Sequence, residues 1–154
     1  MATNPVRVSL RRYWTALAEA ETRLLTVSCQ QNLNVVRRLM VDVWAVGDLN
    51  LLTELVADHY IGHQPIGDHY GPGGARIDIE AYRRAIPDLT VTLDDLLAVD
   101  DRVIRRFKLR GTLQQPLLSI PTSGLPIIMG GIAIDRLASG RLVESWIQIG
   151  SLAH

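Results

Sequence analysis

Apolar positions recur at two different periods along this chain, and the period changes near its middle. In the first half the spacing is helical. Tyr13, Leu17, Ala20, Leu24 and Val27 fall three or four residues apart and predict one face of a helix from about Leu10 to Val27. Residues 28–32 (SCQQN) are polar and predict a break. Leu33, Val36, Met40, Val43 and Trp44 form a second stripe, and Gly47 suits the position just past a helix end. Asp48 is placed to cap a third, short helix through Leu55. Residues 62–74 (GHQPIGDHYGPGG) read as an irregular loop because Gly and Pro interrupt any period. Residues 75–86 (ARIDIEAYRRAI) predict a fourth helix. It stops near Ile86, since Pro87 disfavours helical backbone in the residue before it.

From Thr90 onward the period is that of strands. Thr90 to Leu93 opens one, Asp100-Asp101 signals a turn, and Arg102 to Leu113 is a long strand. Ser119 to Pro126 is a Pro/Gly loop. Ile127 to Leu137 and Arg141 to Leu152 are then two strands joined tightly at Ser139-Gly140. Helices followed by an antiparallel meander predict an α+β fold, a cone-shaped barrel of helices packed on a strongly curved, mostly antiparallel sheet. The mouth of such a cone is the default binding site. The expected division is a helical extension over residues 1–30 and one domain over 31–154.

Composition narrows the function more by exclusion than by indication. The 154 residues carry 16 basic and 16 acidic groups, so there is no basic surplus for nucleic acid. Arginine dominates the basic residues, often in pairs such as Arg105-Arg106, which fits solvated faces. Cys29 is the single cysteine and excludes an intrachain disulfide. The uncharged run Gly111 to Ile134 is broken by Pro116, Pro121 and Pro126, which argues against a membrane span. Glu19 and Glu21 interrupt any apolar leader. A cytoplasmic protein is expected.

Several pieces carry a family resemblance. VWAVGDLNLLTELVADHYIGH (43–63), AYRRAIPDLTVTLDDLLAVDDRV (81–103), Gly111-Thr112, SIPTSG (119–124) and SGRLVESW (139–146) occur in an order and spacing that resemble the SnoaL-like polyketide cyclases of the nuclear-transport-factor-like superfamily. The resemblance implies a cofactor-free, oligomeric enzyme that closes a ring in a polyketide, often by an aldol step. It further implies an aspartate base on the last strand near the tryptophan, and a histidine and a glutamine on the strand before it. A histidine often follows the Gly-Thr, and an Asn-His type pair follows the Asp-Tyr of the loop. Here the base position falls on Gln148, or on Gly150 by a longer count. The histidine and glutamine positions fall on Ala133 and Gly131, the position after Gly111-Thr112 on Leu113, and the asparagine-like position on Gly62, beside His63.

An amide cannot accept a proton at neutral pH, so Gln148 can hydrogen-bond but cannot act as a general base. Alternation places Gly131, Ala133 and Asp135 on one face of their strand, and Glu144, Trp146 and Gln148 on one face of theirs. If both faces point into the cone, the pocket holds an indole, an amide, two carboxylates and extra space beside Gly131 and Ala133. Asp135 is then the substitute acid; the competing reading makes it an exposed strand carboxylate, or pairs it with Arg105 or Arg110. Glu144 also fits a structural role beside the Ser139-Gly140 turn. His63 could act as acid, base or donor, or could simply be a hydrogen-bonded loop residue. Tyr60 and Tyr82 are possible donors, and Trp44 and Trp146 possible aromatic walls. His59 and His69 are expected at the surface, and no metal-ligand spacing is present.

Three functions follow as expectations. The first is a cofactor-free cyclase or isomerase acting on a hydrophobic polyketide-like intermediate, with ring closure driven by shape where the usual base is missing. It would use Asp135, His63 and Gln148, with Trp146, Tyr60, Trp44, Leu113, Ala133 and Glu144 against the substrate, and neither metal nor cofactor. The second is an epoxide hydrolase-like enzyme built on Asp135. The third is a binding or interaction module that kept the cone and lost the chemistry. A homodimer or higher homo-oligomer is expected, because one face of an open sheet needs a cover.

Overall fold

A computed structural model describes residues 5–152, although the side chains of residues 5–11, 13 and 25 are left out of the description. The first element, α1, runs from Pro5 to Arg38 without interruption. The helix thus runs through residues 28–32, where the polar run predicted a break. Polar residues need only an outward face to continue a helix, and of these five only Asn32 is buried. The chain continues as a π-helical turn, Leu39–Val46, whose wide winding sends Leu39, Met40, Val43 and Trp44 into the core. Gly47 ends it at φ 93°, as its position in the sequence predicts. Arg83 donates to the carbonyl oxygens of Trp44 (2.7 Å) and Ala45 (2.9 Å), satisfying groups the helix end leaves open. A single-turn 3₁₀ segment, Leu49–Leu51, leads into the short helix α2, Leu52–Leu55; the Asp48 side chain does not cap it.

The largest departure from the sequence reading lies in residues 56–70. Much of the expected loop is a hairpin of β1 (Val56–Gln64) and β2 (Gly67–Tyr70). Pro65 and Ile66 sit in its turn, where a missing N–H costs nothing. The helix α3 then spans Gly71–Ala85, opening with Pro72 in its first turn, four residues earlier than expected. The last four strands are β3 (Thr90–Val99), β4 (Arg102–Thr112), β5 (Pro126–Ala138) and β6 (Arg141–Ser151), close to their expected bounds.

The six strands form one curved sheet in the order β2-β1-β6-β5-β4-β3. Every pairing is antiparallel except that of β1 with β6. Helices cover its inner face, where Val103, Phe107, Leu109, Met129, Leu137 and Leu142 meet Val36, Met40, Ile79 and Ile86. A latch fixes the end of β4. The Asp88 carboxylate accepts from the backbone N–H (2.7 Å) and the hydroxyl (2.9 Å) of Thr112. A side chain at Gly111 would meet Ile86 at 2.2 Å, so close packing favours glycine there. Among the described residues no helix is long and apolar enough to cross a membrane.

Candidate functional site within the cone

Which face of each strand points inward decides what the site contains. On β5 the buried residues are Ile127, Met129, Gly131, Ala133, Asp135 and Leu137. On β6 the inward positions beyond Val143 are Ser145, Ile147 and Ile149, so Glu144, Trp146 and Gln148 point to the outer face. The expected pocket of Trp146, Gln148, Glu144, His63 and Asp135 is thus not brought together: Asp135 lies under the sheet and the other four lie across it. The position facing Ala133 on β6 is Ile147. The inward face of β6 beyond Ser145 is therefore apolar, with Ile147 and Ile149, while Gln148 stands on the outer face.

Neither glycine opens extra space. A side chain at Gly131 would meet the Phe107 ring at 2.3 Å, and one at Gly62 would meet the Tyr60 hydroxyl at 2.7 Å. Aromatic groups from neighbouring positions fill both places. Ala133 and Leu113 are each 1% exposed and belong to the core; neither lines the inner cavity described below. The Leu113 backbone instead clamps the loop after β4, donating to Leu125 and accepting from Gly124.

Asp135 is completely buried and paired with Arg105. The Arg105 guanidinium donates from Nε to Oδ2 (2.7 Å) and from Nη2 to Oδ1 (3.2 Å), and the Ser145 hydroxyl donates to Oδ1 (2.6 Å). Both carboxylate oxygens are thus engaged, and Arg105, not Asp135, reaches the cavity wall. That arrangement weighs against a water-activating role and so against the epoxide hydrolase reading. Burial pushes the Tyr60 phenol up to about 12.

Above this pair lies a narrow cavity of about 30 Å³. Trp44 and Tyr60, both expected from the sequence, line it with Gln64, His69, Asp78, Arg105 and Ile147. A smaller recess of about 10 Å³ continues past Tyr82, Phe107 and Ile149. Trp44 and Tyr82 meet edge to face, with ring centres 5.2 Å apart. His69, expected at the surface, is half-buried at this cavity and lies near its Gly74 carbonyl at 3.3 Å.

The sequence reading missed Asp78 and Gln64. Asp78 is 5% exposed and accepts a hydrogen bond from the Gln64 amide. Burial raises its carboxyl above the ordinary value, against the opposing pulls of the Gln64 bond and of His69. The signal was present: Asp78 lies four residues before Tyr82 and one before Ile79, on the apolar side of α3.

The outer face holds a separate cluster. His63 donates from Nδ1 to Asp68 (2.9 Å) and from Nε2 to Glu144 (3.0 Å), and it stacks on Trp146 with ring centres 5.7 Å apart. Arg136 donates to the other Glu144 oxygen at 2.9 Å. The carboxylates hold the imidazole above its ordinary range, Glu144 more strongly than Asp68. In turn His63, followed by Arg136, lowers Glu144. Gln148 lies further along this face in an open groove of about 430 Å³ with Arg106, Lys108, Gly130 and Gly150. Among the described residues no three His, Cys, Asp or Glu side chains are grouped to hold a metal ion.

Comparison with known proteins agrees with this architecture. No match was found among curated proteins. Among solved structures, the chain is similar to IdmH of Streptomyces antibioticus, a polyketide cyclase candidate, at 27% identity and a TM-score of 0.67, covering 77% of this chain and 91% of that one. TsrD of Streptomyces laurentii matches at 27% identity and 0.68, covering 80% and 88%. A SnoaL-like polyketide cyclase candidate from Jannaschia sp. CCS1 shares the fold at 21% identity and 0.69, covering 79% and 85%. The SnoaL-like polyketide cyclase model matches residues 34–154, which leaves most of α1 outside it, and the chain belongs to that family.

Proposed function

We propose that the chain is a cytoplasmic, cofactor-free cyclase or isomerase that closes a ring in a hydrophobic, polyketide-like intermediate held inside the cone. One observation carries this reading. The cavity has an apolar wall on β6, Ile147 and Ile149, facing a small set of polar groups on β1, β2, β4 and α3. Such a wall folds a flexible chain, and the polar side polarises its carbonyls. Holding the reactive conformer supplies several kcal/mol, up to about 7–11 in ideal cases. On this reading the sheet contributes shape and not a base.

The described cavity is far smaller than the ~300–1,000 Å³ of ordinary ligand sites. Substrate entry therefore requires Trp44 and its neighbours to move. Family membership and the similarity to IdmH support the ring-closing class. Ile132, Ile134, Trp146 and Leu97, all exposed on the outer sheet, support a homodimer that covers them.

The test is incubation with short poly-β-keto thioesters, followed by mass spectrometry for a cyclic product of unchanged mass or of mass less one water. Ile147→Trp, which fills the cone, is expected to abolish turnover. Gly150→Trp, which fills the outer groove, is expected to preserve it. The opposite pattern would move the site to the outer face, and no turnover or binding with any such substrate would leave the interaction-module reading.

A further inference from the structure

The strand wall holds no free acid, yet the cavity does hold a buried carboxylate whose oxygens are not both claimed by a cation. We propose that Asp78 is the general base for ring closure and that the Tyr82 phenol is the donor that receives the developing enolate. This rests on the cyclase reading and adds to it the acid–base pair and its location on α3.

Three observations converge. Asp78 and Tyr82 are one helical turn apart on α3 and line the same recess. The Tyr82 hydroxyl is the one buried side-chain polar atom without a hydrogen-bond partner among the described residues. A buried hydroxyl without a partner costs stability, and it is free to donate to a substrate oxygen. Asp78 contrasts with Asp135, the other buried acid: a neutral amide holds Asp78, whereas a guanidinium fork holds Asp135. The Arg105 fork occupies both oxygens of Asp135, whereas the Gln64 amide reaches one oxygen of Asp78. The groups facing Asp78 are Gln64, His69, Tyr60 and Tyr82, with the Arg105–Asp135 pair across the cavity.

The chemistry balances without a co-reactant. The Asp78 carboxylate takes a proton from a carbon flanked by two carbonyls. The C–H electron pair becomes the enolate double bond, and the carbonyl π pair moves to oxygen, which accepts the Tyr82 hydrogen bond. The enolate carbon attacks a second carbonyl carbon of the same molecule and forms the C–C bond. The resulting alkoxide takes the proton back from Asp78. The product is an isomer of the substrate.

The experiment uses the full chain and a long-tailed 2-alkyl-β-keto ester as the probe, with deuterium uptake at its acidic carbon followed by NMR in D₂O. The wild type is expected to accelerate exchange, with a rate that rises with pH through one ionisation above the ordinary aspartate value of 3.8. Asp78→Asn, close in shape, is expected to lose roughly a hundredfold or more. Tyr82→Phe is expected to lose up to roughly a hundredfold. Exchange by Asp78→Asn at the wild-type rate would overturn the proposal. So would ring closure of poly-β-keto thioesters without any probe exchange, and in that case the cyclase reading would survive. Failure of both reactions would remove both. A measurement independent of turnover and of variant folding is the ¹³C titration of the Asp78 carboxyl in the unliganded wild type. A midpoint above 3.8 is expected, and one at or below it counts against the assignment.

Discussion

Arg105 and Arg106 are neighbours on β4, and the sheet separates them. The Arg105 side chain is 3% exposed and grips Asp135, which is fully buried; the Arg106 side chain is 49% exposed and binds Asp94 and Asp95 on the outer face. The distances are alike, 2.7 Å inside and 2.6 Å outside. What differs is the medium. Inside, neither charge has water to fall back on, so each depends on the other; outside, water replaces either partner at little cost. Residue type and distance therefore say little about what an ion pair does until its face is known.

The sharpest way to break the comparison is to remove one member of each pair. Arg105→Met strands a buried carboxylate and is expected to cost about 3–5 kcal/mol in urea unfolding. The double variant Arg105→Met/Asp135→Leu should recover part of that loss, since no unpaired charge remains. A smaller loss from the single variant than from the double would show that the interior pair is not mutually dependent. Next in size is Gly131→Ala, which drives a methyl into the Phe107 ring and should cost about 1–3 kcal/mol. An unchanged unfolding midpoint would mean that the ring has room to move.

The outer cluster gives a smaller effect with a definite sign. The folded-state His63 pKa is raised above 6.5, so its contribution to stability is complete below pH 6.5 and fades as pH rises through the folded value. Glu144 is lowered from 4.5, so its contribution is present above 4.5 and fades as pH falls through its folded value. The melting-temperature gap between wild type and His63→Gln should therefore be widest in the mildly acidic range and close toward alkaline pH. A gap that widens with pH would contradict the clamp. Smallest of all, Arg106→Met should leave the unfolding midpoint within error at moderate salt, as exposed pairs do.

Much of the fold was legible. The last four strands and both of their tight turns follow from alternation and turn residues, and Asp100, Ser139 and Gly140 adopt the positive φ such turns require. The β1–β2 hairpin was not legible, because β1 owes its place to parallel pairing with β6, some eighty residues away, which no local pattern announces. The site was legible only in part, for a similar reason. Alternation states which residues share a face but not which face is inside. On β5 both faces are apolar, with Ile128, Ile132 and Ile134 outside and Ile127, Met129 and Leu137 inside, so the pattern is ambiguous. On β6 the inward Ile147 and Ile149 did carry the answer, but the tryptophan-based register pointed to their neighbours. Asp78 is legible from its spacing to Ile79 and Tyr82, which puts a carboxylate on the buried side of α3.

The meeting of Phe107 with Gly131 also constrains how such a pocket can change over generations. The ring stands where any side chain at 131 would have to begin. A lineage placing any side chain at 131 must first give up the ring at 107, and in doing so passes through a chain with a hole in its core. The order of events is thus built into the packing. A designer wishing to place a glutamine at 131 would begin at Phe107, one strand away from the residue of interest.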